Sequence, residues 1–294
     1  MKNLKSISRQ VCLFLGVISL MAWTSTTPEA LNDLKPLGDF VSNNQLNVEI
    51  ESLGGHRQEC VELTIKNVSS KTIKTYLEPG RRFVSDDIME QDIFIVKKKE
   101  ITIPPLATIK VKGYGFCCQS FKHSPQKGSS FGFGYMAPDE WIQLADTIND
   151  NNFDASAVQS AVWSLSDGHD IASIHSENRD AVLPLLRTVA SIRNIHLPWY
   201  SFSYVPDSTR LFSNKPEKLH GSFDYYLKNN AAVSIVVKNE KGRLMKHLVK
   251  GHVYGHGKQT FSADIKVENW PKGNYEIIVV EDFWNINSVK RFSL

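Results

Sequence analysis

Side chains with the potential for covalent chemistry occur near the middle of this chain. Cys117 and Cys118 are adjacent and close an apolar stretch, and Gln159 lies on a segment with helical spacing. A cysteine thiolate can attack a side-chain carboxamide, expel ammonia and form a thioester, provided that the pocket is dry enough to slow hydrolysis. A cysteine at the end of a strand and a glutamine on an adjoining helix would meet that requirement.

Aromatic and acidic residues next to these positions would support such a site. Phe116 precedes the first cysteine, and Trp163 follows Gln159 by one helical turn on the same side of the helix. Asp167 ends the same segment. The alternative is a purely structural role, with Gln159 as a hydrogen-bonding amide and Cys117 as a structural thiol.

The N-terminus has the pattern of an export signal. Lysine and arginine side chains precede an apolar run at residues 11–22, which is the length of a signal-peptide core. We therefore expect residues 1–30 to contain a signal peptide that is cleaved within residues 22–30. The mature protein would then be secreted, periplasmic or at the cell surface, where disulfides persist.

Loss of the signal peptide would leave an odd number of cysteines, namely Cys60, Cys117 and Cys118. Cys60 opens a predicted strand at residues 60–66, and the cysteine pair closes another at residues 109–116. In an antiparallel pair, the start of one strand lies beside the end of its partner. The pattern therefore predicts a Cys60–Cys118 disulfide, with a Cys117–Cys118 ring as the alternative.

The chain as a whole predicts a mainly β fold with a helical segment. Short alternating strands bounded by glycine and proline turns dominate residues 45–118 and predict an immunoglobulin-like sandwich. The period becomes helical in the following segment, where three helices are expected, the second capped by Asp154 and the third by Ser176. The predicted domains are a sandwich with its helical segment at residues 45–193, a linker at residues 194–219 and a second small sandwich at residues 220–294.

Several classes of function are disfavoured by composition and motifs. The formal net charge is only +3, and no basic stripe is interleaved with aromatic residues, so nucleic acid is not an expected partner. No segment after the signal has the length and apolarity of a membrane-spanning helix. Histidine spacing predicts no metal site, no cofactor is expected, and the motifs of conventional enzymes are missing from the sequence.

The residues around the cysteines and the glutamine resemble the thioester domains of bacterial surface adhesins. Those domains carry an aromatic-Cys step and later an apolar-Gln-x-apolar-aromatic motif, which match Phe116-Cys117 and residues 158–163. The stretch 77–168 is also similar to secreted proteins that pair an immunoglobulin-like sandwich with a helical segment. The resemblance implies that Cys117 is the thioester cysteine and that Cys118 is available for a disulfide. The adhesins have an aromatic and then a charged residue after the cysteine, where this chain has Cys118-Gln119.

The C-terminal block resembles a different kind of module. Residues 232–242 and 270–277 are similar to the small immunoglobulin-like modules of secreted Bacteroidetes-type proteins and of flagellar hook-capping proteins. Such modules act in presentation, attachment or secretion.

These resemblances imply a secreted or cell-surface protein that functions in binding or adhesion. The thioester would attach it covalently to an amine of a surface protein or glycan. The alternative from another class is a structural, envelope-associated protein whose cysteines only stabilise the fold. A hydrolase with no recognisable site is a third.

Overall fold

The computed structural model describes residues 34–207 and 211–294. The predicted signal peptide at residues 1–30 lies outside these residues, so export and cleavage stay predictions. Residues 34–294 belong to one compact unit. No helix in the described part of the chain combines the length and apolarity that a membrane crossing needs.

The predicted mainly β fold with a helical segment is confirmed. In chain order, the strands are β1 (Lys35–Pro36), β2 (Leu46–Ser52), β3 (Arg57–Asn67), β4 (Ile73–Leu77), β5 (Arg81–Ser85), β6 (Ile93–Ile95), β7 (Lys99–Ile103), β8 (Thr108–Cys117), β9 (Ser130–Met136), β10 (Tyr200–Tyr204), β11 (Pro216–Leu227), β12 (Ala231–Asn239), β13 (Leu244–Tyr254), β14 (Gly257–Lys266), β15 (Asn274–Glu281) and β16 (Asn285–Ser293). The α-helices are α1 (Leu37–Ser42), α2 (Asp139–Asn149), α3 (Ala155–Ser166) and α4 (Arg179–Ile192), and a 3₁₀ turn spans Ile171–Ser173.

The N-terminal β block is a closed barrel rather than the predicted immunoglobulin-like sandwich. Its strand order is β2-β3-β8-β6-β5-β9, and a separate sheet contains β1, β4 and β7. Strand β9 closes the barrel because it pairs with both β2 and β5. A side chain at Gly134 would place a Cβ atom 2.5 Å from the carbonyl oxygen of Arg82. Glycine therefore permits the close approach of β9 and β5.

The helical segment packs against the outside of this barrel. Helix α3 begins after Asp154 as expected, but the Asp154 side chain makes no capping hydrogen bond. The apolar face of α3 joins that of α4 in one buried core. Helix α4 begins later than predicted, because the Asn178 side chain accepts hydrogen bonds from the first backbone N–H groups of the helix. Ser176 is not its cap: the Ser176 hydroxyl instead donates to the Asp154 carboxylate, at 2.5 Å.

The C-terminal block is a sandwich of two antiparallel sheets around a shared core. One sheet has the order β10-β11-β14 and the other β13-β12-β15-β16. Strand β10 falls within residues 194–219, which the sequence predicted as a linker. It pairs with β11, with Phe202 opposite Leu219, and both of these side chains are buried. Much of the predicted linker is therefore part of the second sandwich.

Candidate functional site

The side chain of Gln159 lies against the main chain of Cys117. The Gln159 Nε2 atom donates a hydrogen bond of 2.7 Å to the carbonyl oxygen of Cys117, although the two residues are far apart in sequence. Gln159 is 3% exposed and Cys117 is fully buried. Helix α3 contacts both β8 and β3, so it covers the end of the barrel where β8 finishes. The two residues implied by the adhesin resemblance are thus brought together.

The cysteine pair is divided between two cores. Phe116 and Cys118 pack with the helices, whereas Cys117 packs inside the barrel with Cys60. This division follows from the alternation of side chains along a strand. The backbone N–H of Cys117 donates to the carbonyl of His56, which fixes the end of β8. The Gln159 carboxamide therefore contacts the main chain of Cys117 at the boundary between the two cores, whereas the Cys117 side chain packs on the barrel side.

Two polar atoms at this site lack partners. Within the described residues, Gln159 Oε1 and Trp163 Nε1 are buried and accept or donate no hydrogen bond. An unsatisfied buried polar group costs about 1–3 kcal/mol, so such atoms are uncommon in structural positions. Helix α3 therefore carries one buried acceptor, Gln159 Oε1, and one buried donor, Trp163 Nε1, that form no hydrogen bond within the described residues.

Aromatic rings surround Trp163, which is 3% exposed. Its ring centroid lies 6.4 Å from His56, 5.8 Å from His169 and 6.0 Å from Phe212. Phe212 belongs to the segment between β10 and β11, so the C-terminal block contributes a ring to a site built by the N-terminal block. Sequence reasoning missed His56, His169 and Phe212. The aromatic content of the segment assigned to a linker was a signal for Phe212 alone.

Asp167 contacts the loop that follows the cysteines. Its carboxylate accepts a 2.8 Å hydrogen bond from the backbone N–H of Ser120. The Ser120 hydroxyl and His169 Nε2 are 2.9 Å apart. Asp167 therefore positions Ser120, three residues after Cys117, and its supporting role at a thioester stays a prediction.

The predicted Cys60–Cys118 disulfide is absent: Cys60, Cys117 and Cys118 are all free thiols in the described chain. The strand register explains this. Phe116 pairs with Arg57, and Cys60 sits in a bulge level with residues 113–114. Cys118 is then more than roughly 13 Å from Cys60 along the strands, whereas a disulfide requires Cα atoms within about 7 Å. Strand β3 begins earlier than predicted, so Cys60 is not beside the end of β8.

Burial keeps all three thiols protonated. It raises the pKa of Cys60 and of Cys118 to about 12, and it raises the pKa of Cys117 well above its usual range, with further contributions from the other two thiols and nearby carboxylates. Thiols that burial keeps protonated are poor nucleophiles.

A buried polar network fixes the turn after Cys118. The carboxylate of Asp92 pairs with Arg82 and accepts a 2.8 Å hydrogen bond from Gln119 Nε2. Gln119 Oε1 accepts from the Asp92 backbone N–H, at 2.6 Å, and the Gln91 side chain accepts from the Gln119 backbone N–H. Gln119 thus replaces the charged residue of the adhesin pattern with an amide that is held by hydrogen bonds. Within the described ranges, no group of three or more His, Cys, Asp or Glu residues is arranged to hold a metal ion.

A pair of stacked imidazoles joins the helical segment to the C-terminal sheet and predicts acid sensitivity. His175 and His220 have ring centroids 4.4 Å apart. Burial, and then the proximity of His220, lower the pKa of His175 below its ordinary value of 6.5. The unfolded chain therefore binds more protons than the folded one below about pH 6.5, and stability falls as the pH falls through that range. Urea unfolding at pH 7.5 and 5.5 should show a smaller acid-induced loss in His175→Gln than in the wild type. Equal losses would contradict this assignment.

Comparison with known proteins gives little further information. No known family profile matches the chain, and no curated protein matches it. One solved structure, described as CBM51-2 in complex with GlcNAc and INT domains from Clostridium perfringens ZmpB, is 11% identical and covers 85% of this chain and 79% of that chain. The TM-score is 0.17, and a likeness at that level carries no argument about fold or function.

Proposed function

We propose that this protein is a secreted or cell-surface binding protein that forms an internal thioester between Cys117 and Gln159 and uses it to attach to a partner. The observation that carries the proposal is the buried 2.7 Å hydrogen bond from Gln159 Nε2 to the Cys117 carbonyl oxygen. It fixes the Gln159 carboxamide against the main chain of the cysteine whose sulfur would attack it.

The bond-forming step is balanced without any further reactant. The Cys117 sulfur attacks the Gln159 side-chain carbonyl carbon, the carbon–nitrogen bond breaks, and the thiol proton leaves with the nitrogen as ammonia. The hydrogen bond from Nε2 is lost with the ammonia. In the second reaction an amine of the partner, on a protein or a glycan, attacks the same carbon. An amide forms, and Cys117 returns to a thiol.

The surroundings of the site suit a stored thioester. Trp163 and Phe116 are buried beside Gln159 and Cys117, and they exclude the water that would hydrolyse the bond. Within the described residues, Trp163 Nε1 is a buried donor without an acceptor, one helical turn from Gln159. In the proposed reaction it would donate to the negative charge that develops on the Gln159 oxygen.

Intact mass spectrometry of the mature protein tests the proposal. The mass is expected to fall short of the sequence by one ammonia, and methylamine should restore mass and free one thiol for alkylation. Gln159→Ala and Cys117→Ala should each lose both effects, because either change removes one partner of the bond. In both variants we expect the ammonia deficit to disappear completely.

Three variants serve as matched controls. Gln143→Ala changes an exposed glutamine on α2, and Cys60→Ser changes a buried thiol that packs only with the barrel. Both should keep the mass deficit. Cys118→Ala should also keep the mass deficit. If Cys118→Ala lost the deficit and Cys117→Ala kept it, the thioester would involve Cys118 and the assignment to Cys117 would be wrong. A full-length mass in the wild type, with Cys117 freely alkylated, would reject the proposed function.

The second candidate is a structural, envelope-associated protein without covalent chemistry. The observation in its favour is the protonated state of the buried thiols, whose pKa values are raised by burial. In that case the Gln159 hydrogen bond only ties α3 to the end of β8. The same mass measurement separates the two candidates, because a structural glutamine keeps its side-chain amide nitrogen and the protein then has the full mass of its sequence.

A further inference from the structure

A row of polar side chains crosses the outer face of the three-stranded sheet in the C-terminal sandwich. In the sheet β10-β11-β14, Ser201 pairs with His220, and His220 pairs with Asp264. Paired residues on neighbouring strands place their side chains on the same face of a sheet, and the next row along lies on the opposite face. That next row contains Phe202 opposite Leu219, and both are buried in the sandwich core. The polar row therefore lies on the face away from that core.

Ser203 lies two residues along β10 from Ser201, on the same face, and its side chain contacts His220. The Ser203 Oγ atom is 3.1 Å from His220 Nε2. The Asp264 Oδ1 atom lies 3.7 Å from the other ring nitrogen, Nδ1. This distance exceeds that of a hydrogen bond, but a negative charge so close favours a proton on Nδ1. Nε2 then accepts the hydrogen bond from the Ser203 hydroxyl, which is the order of groups in a Ser-His-Asp triad.

The reacting atoms of this triad face a cavity. Ser203 and His220 both line a cavity of about 530 Å³, which is within the usual size range of small-molecule sites. The His220 side chain is 29% exposed, so a small molecule can contact it directly. Two cationic side chains and two carboxylates also line the cavity, namely Arg179, Lys218, Glu177 and Glu217. Their formal charges cancel, which favours an uncharged substrate over an anionic or cationic one.

A second serine and imidazole adjoin the triad and differ from it. The Ser201 Oγ atom is 3.0 Å from His175 Nδ1, and the His175 ring stacks on His220 with centroids 4.4 Å apart. Ser201 is only 3% exposed, so its hydroxyl is poorly placed to attack a substrate. Burial, and then the proximity of His220, lower the pKa of His175. The uncharged His175 ring therefore holds the plane of His220 without repelling an imidazolium formed there.

We infer that Ser203 is a nucleophile activated by His220 and Asp264, and that the cavity beside it hydrolyses small uncharged esters. The inference goes beyond the proposed function and uses no residue of the thioester site. It gives residues to the hydrolase that the sequence left without a recognisable site.

The reaction needs only the ester and water. The Ser203 oxygen attacks the ester carbonyl carbon, and the hydroxyl proton passes to His220 Nε2. The carbon–oxygen bond to the alcohol then breaks, and the imidazolium protonates the leaving alcohol. A water molecule attacks the acyl-serine and gives a proton to His220, which returns it to the Ser203 oxygen as the carboxylic acid leaves. The sum is an ester and water giving an acid and an alcohol.

Diisopropyl fluorophosphate and p-nitrophenyl acetate test the inference. The first reagent should add once to the wild type, with loss of hydrogen fluoride, and peptide mapping should place the adduct on Ser203. Ser203→Ala should form no adduct. His220→Gln should be labelled about 100-fold more slowly, since general bases contribute about 10²-fold or more, and should release p-nitrophenol more slowly by a similar factor. Because the adduct is mapped in the wild type, the result does not depend on the folding of any variant.

Two substitutions of Asp264 test its role as a positioning residue. Asp264→Asn should lower kcat for p-nitrophenyl acetate with little change in KM, because the carboxylate acts on the His220 ring rather than on the substrate. Asp264→Glu should recover part of kcat, because it restores the charge. Wild-type kcat in Asp264→Asn would overturn the assignment of Asp264.

Two serine variants make the test specific. Ser222→Ala changes a serine that lines the same cavity and forms no hydrogen bond to either imidazole within the described residues, so it should keep the adduct and the rate. Ser201→Ala is the competing arm and should also keep the adduct. An adduct on Ser201 would transfer the role to the His175 pair and overturn the inference.

Absence of any serine adduct in the wild type, with p-nitrophenol release no faster than in His220→Gln, would also overturn it. Neither result depends on the ammonia deficit, so failure of this inference is distinguishable from failure of the proposed function.

Discussion

Phe116→Ala is expected to lower the free energy of unfolding by about 3–5 kcal/mol, the range for removal of a fully buried aromatic side chain. Phe116 has no exposed surface and packs in the core shared by the barrel and the helices. Its ring also meets that of Tyr114 at 5.8 Å. Truncation leaves a cavity where α3 packs on β8. The loss of stability therefore combines the lost burial of the ring with the cost of a cavity that the surrounding side chains fill only in part. Equilibrium urea unfolding, monitored by far-ultraviolet circular dichroism, measures it.

Phe121 provides a control only five positions along the chain. Its side chain is 79% exposed, and Phe121→Ala should change the unfolding free energy by no more than about 0.5 kcal/mol. Because Phe116 precedes Cys117, Phe116→Ala should also admit water to the proposed thioester and shorten its lifetime. Equal stabilities of the two variants would contradict the position of Phe116 between the two cores.

The parts of the fold that follow a local period were predictable. The apolar spacing on α3 places Gln159 and Trp163 on one side of a helix, and the apolar run before Cys117 ends as a strand. These are local properties of the sequence. The start of α4 was wrong by a few residues because Ser176 and Asn178 are both good caps, and only tertiary contacts choose between them.

The errors lie where distant segments meet. The barrel is closed by β9 through its pairing with β2 and β5, which are distant in sequence, and no local pattern shows that pairing, so the sequence indicated a sandwich. The prediction of a Cys60–Cys118 disulfide was wrong because it assumed the wrong strand register. That register is fixed by pairing along the whole length of β3 and β8 rather than by the strand ends. Phe212, in the predicted linker, contacts Trp163, and no local sequence pattern predicts a contact between such distant segments.

Asp92→Ala is expected to destabilise the protein by about 3–5 kcal/mol, the range for breaking a buried ion pair by removal of one partner. The Asp92 carboxylate pairs with Arg82, and it also accepts hydrogen bonds from the Ser85 backbone and the Gln119 side chain. Its removal leaves a buried guanidinium whose remaining neighbours include the ring faces of Tyr135 and Trp141. Urea unfolding measures the loss. Glu59→Ala, which breaks the exposed pair with Lys112, is the control and should cost less than about 1 kcal/mol.

A double substitution separates the ion pair from the packing around it. Arg82→Met combined with Asp92→Leu removes both charges, and it should recover much of the stability lost in Asp92→Ala, because no uncompensated charge then stays buried. The double variant still lacks the hydrogen bond from Gln119 Nε2 to the Asp92 carboxylate, one of those that hold Gln119 behind Cys118. It should therefore fold while forming less of the ammonia-deficient species than the wild type. A double variant as unstable as Asp92→Ala would show that the hydrogen bonds to Ser85 and Gln119, rather than the charge pair, account for the stability of this turn.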